Sequence, residues 1–115
     1  MNLLQMVSLQ IKFMSPADVS PSISYLHAAF QRPVIHMAIH MTNILLDEHD
    51  VPKLSNFLVS VSIPEGETDM EAYEGLWNSR FSTPELEASG RATEKTDVYK
   101  FGELLLELFN WRVFL

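Results

Sequence analysis

The side chains able to do chemistry concentrate in one short polar stretch, His36 to Asn43, and in a few positions downstream of it. His36 and His40 stand four residues apart, a spacing that on a helix would offer two imidazoles to a zinc ion. The stretch follows Arg32-Pro33, however, and reads as a structured loop with no acid beside the two histidines, so a zinc pair is not expected. Asn43 and Asn56 offer amide groups. His27 and His49 read as a helix-end and a turn residue.

The chain as a whole narrows the field further. At 115 residues, 47% hydrophobic and 20% charged, it suits one modest globular domain or part of one. Fifteen acids against eight bases give a formal charge of -7, and the bases are scattered singly, so nucleic acid is a poor partner. Without cysteine there is no disulfide, thiolate zinc site or thiol nucleophile, which suits a reducing compartment. The first fourteen residues carry no basic leader pattern and no apolar run reaches membrane-span length, so no targeting, anchoring or direct membrane insertion is expected.

The elements that must position these residues are short. Ser15-Pro16-Ala17-Asp18 reads as a turn, and Ser20-Pro21 as the start of a helix running to about Phe30, with Ile23, Leu26 and Phe30 at helical spacing. Ile44-Leu45-Leu46 and Val51 to Leu54 read as two strands of a hairpin turned by Asp47-Glu48-His49-Asp50. From Ser55 to Ser82 periodicity is poor, and five acids between Glu65 and Glu74 without a base predict an exposed, mobile loop. Thr93 is positioned to cap a last helix in which Val98, Phe101, Leu104, Leu105, Leu108 and Phe109 recur at three- and four-residue steps. With Leu106 that helix is apolar on nearly every side, as befits one buried inside a larger body. The expected class is α+β: a mainly helical fragment with a short β-hairpin.

Four motifs in order carry a family resemblance: His36 to Asn43, Ser55 to Leu58, Thr83-Pro84-Glu85, and Thr96 to Gly102. With Ile23-Ser24-Tyr25-Leu26-His27, Asn43-Ile44-Leu45-Leu46-Asp47 and Thr93 to Tyr99, the wording resembles plant receptor-like protein kinases related to the wall-associated kinases, and within them a pseudokinase branch. The resemblance implies a partial kinase C-lobe over residues 20–115, from catalytic loop to central helix, preceded by a lead segment, 1–19, that does not match.

The departures from the family pattern fall on its chemistry. Ala38 stands where the resemblance implies an aspartate that takes the substrate hydroxyl's proton, and alanine has no acceptor. His40 replaces the lysine expected to face the transferred phosphate. Asn43 matches the asparagine that helps hold magnesium, but Asn56-Phe57-Leu58 replaces Asp-Phe-Gly, putting a neutral amide where the anionic metal ligand belongs. No glycine-rich loop or strand lysine precedes Ser20, so ATP and Mg2+, the cofactors expected of the family, are not expected to bind here.

The structural positions survive. Glu85 matches a glutamate that pairs with an arginine on a later helix, Asp97 an aspartate that hydrogen-bonds back to the loop near His36, and His36 itself is kept. Ser60, Ser62, Thr68, Tyr73, Ser79 and Ser82 fall in the segment corresponding to the activation loop, where phosphorylation would add charge, although polar loop residues need no such role. The resemblance therefore implies a catalytically inactive adaptor or scaffold in plant receptor-kinase or immune signalling. Its partners would be receptor kinases or intracellular immune receptors, in the cytoplasm or at the inner face of the plasma membrane. The alternatives are a truncated remnant without a fold of its own and, further off, an ATP-dependent serine/threonine kinase.

Overall fold

Helix α1 covers Pro16–Ala28 in the computed structural model, which describes residues 16–76 and 79–113. The turn expected at Ser15 to Asp18 is thus helical from Pro16 on, and Pro21, expected at the helix start, lies inside it. Proline supplies no N–H to the ladder there. Packing outweighs that loss: Val19 and Ile23, one turn apart, are both buried in a cluster with Ile39, Ile44, Leu104 and Leu108. Phe30 falls beyond the helix and is exposed, its ring edge-on to Tyr25. The segment set apart at residues 1–19 therefore ends inside α1.

Among the described residues, six strands pair two by two, all antiparallel. β1 (Val34–Ile35) pairs with β4 (Val61–Ser62), β2 (Ile44–Leu46) with β3 (Pro52–Leu54), and β5 (Met70–Glu71) with β6 (Arg91–Ala92). The β2–β3 hairpin sets Ile44 opposite Leu54 and Leu46 opposite Pro52. Its turn is built by Asp47, whose Oδ1 accepts from the N–H groups of His49 and Val51 at 2.8 and 2.9 Å. Asp50 takes the left-handed conformation, φ 60°, that the tight turn needs, and a short polar side chain tolerates it.

Two apolar clusters flank the polar stretch. The first is the α1 cluster already named; the second gathers Ile35, Met37, Ile63, Ala72, Leu76, Leu86 and Ala92. Ile35 and Met37 point into the second and Ile39 into the first, so the segment carrying His36 and Ala38 runs along the seam between them.

Helix α2, Pro84–Ser89, is absent from the sequence reading, although its signals are local. Thr83 Oγ1 accepts from Leu86 N–H at 3.1 Å, Pro84 fills the first helical position, and Gly90 closes the helix at φ 69°. Helix α3, Glu94–Val113, begins behind Thr93, whose Oγ1 accepts from Lys95 N–H while its own N–H donates to Thr96 Oγ1. It is not buried all round: Val98, Tyr99, Leu106 and Phe109 are exposed. The inward side mixes Leu104 and Leu108 with polar Thr96, Asp97 and Lys100.

The acidic segment is more tied down than its composition predicts. β5 is paired along β6, and Arg91 Nε and Nη2 both donate to Asp69 Oδ1, at 3.0 and 2.6 Å. That bond to Asp69, with Glu71 and Glu67 near, raises the affinity of the guanidinium for its proton. Trp77 lies outside the described residues, as does the side chain of Trp111.

Candidate functional site

The polar stretch after β1 is held from behind by one carboxylate. Asp97, fully buried in the first turn of α3, accepts from His36 N–H at 2.8 Å through Oδ2 and from Met37 N–H at 3.0 Å through Oδ1. The Nε2 of His27, in the last turn of α1, lies 2.8 Å from Oδ2 and donates to it. Three donors thus converge on one buried acid, the arrangement that makes a buried carboxylate tolerable. Met37 is left-handed at φ 75°, a conformation that disfavours a long side chain. Its N–H is one of the two that Asp97 binds, so the acid fixes a backbone turn that the local sequence does not prefer.

His36 is a structural hub and no metal ligand. Its Nδ1 accepts from Ala38 N–H at 3.1 Å and its Nε2 lies 2.8 Å from the Ser55 carbonyl, which specifies the Nε2–H tautomer and uses both nitrogens. Ser60 Oγ donates to the His36 carbonyl at 3.0 Å, and the Phe57 ring stands edge-on to the imidazole, centroids 4.9 Å apart. His36 therefore clamps the segment 55–60 to the polar stretch.

His40 points elsewhere. It caps a 3-10 turn, Met41–Asn43, with Nδ1 accepting from Thr42 N–H at 3.2 Å. Its Nε2 lies 3.9 Å from Glu107 Oε1, and its ring stands edge-on to Phe81. Burial is the main reason its pKa lies below that of a free imidazole; Arg80 and Lys100 push the same way, against Glu107 and Glu103.

The two asparagines meet. Asn43 is buried, and its Nδ2 donates to the Ala38 carbonyl at 2.7 Å, which fixes the amide with Oδ1 facing away. Asn56 Nδ2 then donates to that Oδ1 at 3.2 Å, so the two amides are bonded to each other. Asn56 is also left-handed, φ 60°, and Leu58 after it is almost fully exposed. The methyl of Ala38, buried beside this pair, presents no group that accepts a proton.

Glu85 lies apart from this centre. Its Oε1 accepts from Thr93 Oγ1 at 3.2 Å, joining the start of α2 to the start of α3, and it lines a groove of about 550 Å3 with Pro33, Ile63 and Lys95. Lys100 was not singled out from the sequence. It is 1% exposed, and its Nζ donates to the Arg80 carbonyl and to Glu103 Oε2 at 3.3 Å, beneath the Phe81 ring. A lysine in helical register with the inward Asp97, Leu104 and Leu108 is the signal that would have marked it.

Comparison with known proteins agrees with this geometry at the level of the family. The profile of the protein tyrosine and serine/threonine kinase family matches residues 4–112, taking in most of the lead segment, and the chain belongs to that family. It is 38% identical over 96 residues to the non-functional pseudokinase ZED1 of Arabidopsis thaliana, covering 83% of this chain and 28% of that protein. It is 40% identical over 85 residues to the inactive serine/threonine-protein kinase ZRK12 of the same plant, covering 74% and 22%. The PTI1-like tyrosine-protein kinase 1, also from Arabidopsis thaliana, is 35% identical over 95 residues, covering 83% and 26%. The chain thus spans about a quarter of the length of these relatives, and they include proteins named as kinases as well as proteins named inactive. Its fold is a partial kinase-like α+β unit. No described helix is long and apolar enough to cross a membrane.

Proposed function

We propose that this chain is a catalytically inactive kinase-like module that acts by binding other proteins. The observation that carries the reading is the Asn56–Asn43 amide bond beside Ala38: the position of the proton acceptor holds a methyl group, and the surviving metal-facing oxygen is occupied by a neighbouring N–H. General-base catalysis has no acceptor at Ala38, and charge neutralisation at a transferred phosphate is weakened with His40 at the position the resemblance gives a lysine. The names of two relatives, a non-functional pseudokinase and an inactive kinase, support the same reading.

Were Mg2+ and a nucleotide present, Asn43 and Asn56 are the residues that would face the metal. Two neutral amides that hydrogen-bond each other fit a hard dication poorly. What remains is a braced surface: His36, Asp97 and His27 hold the polar stretch, and Arg91 pins the acidic segment. Within the family, the motif wording resembles the wall-associated-kinase-related branch. On that basis its partners are the cytoplasmic domains of receptor kinases or intracellular immune receptors, met in the cytoplasm or at the inner face of the plasma membrane.

Two measurements test the proposal together. Incubation with labelled ATP and Mg2+ should give no phosphoryl transfer to the chain or to a generic protein substrate, and transfer abolished by Asn43→Ala would refute the inactive reading. Titration calorimetry against purified receptor-kinase cytoplasmic domains should give saturable binding without nucleotide. A second reading, a remnant that does not hold its fold, draws on the exposed apolar side of α3. Rapid hydrogen exchange over Val98 to Phe109 in the isolated chain would favour it.

A further inference from the structure

The acidic segment, 64–76, meets a single base. It carries Glu65, Glu67, Asp69, Glu71 and Glu74, and the one ion pair that reaches it among the described residues is that of Arg91 with Asp69. Arg91 Nε and Nη2 both donate to Asp69 Oδ1, at 3.0 and 2.6 Å. Glu71 stands opposite Arg91 across the ladder, and Glu67 is close enough to act on the same guanidinium. Three acids therefore gather at one cation, and without it they repel one another.

The two partners are not equally fixed. Arg91 follows Gly90, which closes α2 in the left-handed conformation; its N–H donates to Ser89 Oγ at 3.1 Å, and Ala92 after it is fully buried. Asp69 has no such support ahead of it, where the turn from Pro64 to Glu67 and Thr68 are exposed for most of their length. Behind it β5 contributes two ladder residues, Met70 opposite Ala92 and Glu71 opposite Arg91. Two-stranded ribbons that short do not hold in water by themselves. The later end of β5 has a second hold in Ala72, buried in the second cluster with its N–H donating to the Gly90 carbonyl at 3.0 Å. The earlier end has Asp69. An exposed ion pair adds little to a strong element, but it decides the state of one so nearly balanced.

We propose that Arg91 and Asp69 form a latch that orders the acidic segment without phosphorylation. A phosphate placed opposite an arginine is a general way to order a loop. Here Asp69 supplies the anion as part of the sequence. A phosphate on Thr68, one residue away, would compete with Asp69 for the same guanidinium and add charge to a place already acidic. The latch deepens the binding reading, on which its purpose rests: a segment already shaped loses less freedom when a partner docks on it. With both side chains partly exposed, the latch weakens as salt rises.

Amide hydrogen exchange of the full chain, its freedom from phosphate confirmed by intact mass, tests this. Residues 69–72 should be protected, and Arg91→Gln or Asp69→Asn should speed their exchange about threefold to fivefold, the size expected for loss of an exposed pair. The Ile63 N–H, bonded to the Pro33 carbonyl, should keep its rate. Raising salt from about 0.05 to about 0.5 M should speed exchange over 69–72 in the original chain and leave Arg91→Gln unchanged, a dependence that a purely steric role of the two side chains would not produce. Thr68→Glu should add no protection. Residues 69–72 that exchange freely until Thr68 carries a negative charge, or that keep their rates in both Arg91→Gln and Asp69→Asn, overturn the proposal. Because exchange reads order and not docking, that failure leaves the binding reading to its own calorimetric test.

Discussion

The two sides of α3 invert the usual relation between polarity and burial. Its inward side buries an acid, a lysine and a threonine, each hydrogen-bonded, while its outward side leaves two aromatics, a valine and a leucine bare. The difference teaches that the inward side is specified by directional bonds that fix the polar stretch in one geometry. The outward side carries exposed apolar side chains without such directional bonds among those described. In the same way, His36 and Asp97 are hydrogen-bonded to the backbone of the polar stretch and its neighbours, whereas the amides of Asn43 and Asn56 are bonded to one another.

The comparison breaks most visibly at Asp97. Asp97→Ala removes the acceptor of three converging donors, two of them buried backbone N–H groups, and should lower stability by about 4 kcal/mol in urea denaturation. A loss under about 1 kcal/mol would mean that the brace is not what holds the inward side. Next in size, Leu104→Ala in the first core cluster should cost about 3 kcal/mol, against about 0.5 kcal/mol or less for Leu106→Ala two positions on, measured by urea denaturation. Equal losses would erase the distinction between the sides.

Lys100→Met keeps most of the buried stem but removes the bonds to the Arg80 carbonyl and Glu103, for an expected loss of about 2 kcal/mol. The smallest effect is that of pH on His40. Its folded pKa lies below the usual imidazole value, so the folded state binds fewer protons than the unfolded one near pH 6. The sign follows: His40's contribution is complete above the unfolded pKa of about 6.5 and is lost as pH falls through the lower folded value. His40→Gln should flatten the stability profile below pH 6.5, as followed by thermal melts; an unchanged slope would show that another group sets it.

Much of the framework was legible in the chain. The β2–β3 hairpin follows from Asp47 to Asp50 between two apolar runs, and α3 from Thr93 and the apolar repeat behind it, because turn and cap chemistry act within a few residues. Helix α2 was equally legible, since Thr83, Pro84 and Gly90 are local signals, but these residues were read as a motif and not as an element. The start of α1 was not, because Val19 and Ile23 are drawn into helix by contacts with Ile39, Ile44 and Leu104, which override the proline between them. The polar stretch could be named from motif order; His27 reaching Asp97, and Arg91 reaching Asp69, could not.

The sequence by itself determined which chemical groups exist: a methyl at Ala38, neutral amides at Asn43 and Asn56, two acids, Glu94 and Asp97, in the first turn of α3, and a glycine amid its apolar residues. Tertiary structure alone decided that the two amides face each other, that three donors share Asp97, and which side of α3 meets the core. The physical reason is range. Identity, capping and turn preference are properties of a residue and its near neighbours, whereas a hydrogen bond across seventy positions, such as His27 to Asp97, exists only once two packed clusters have fixed the backbone on either side of it.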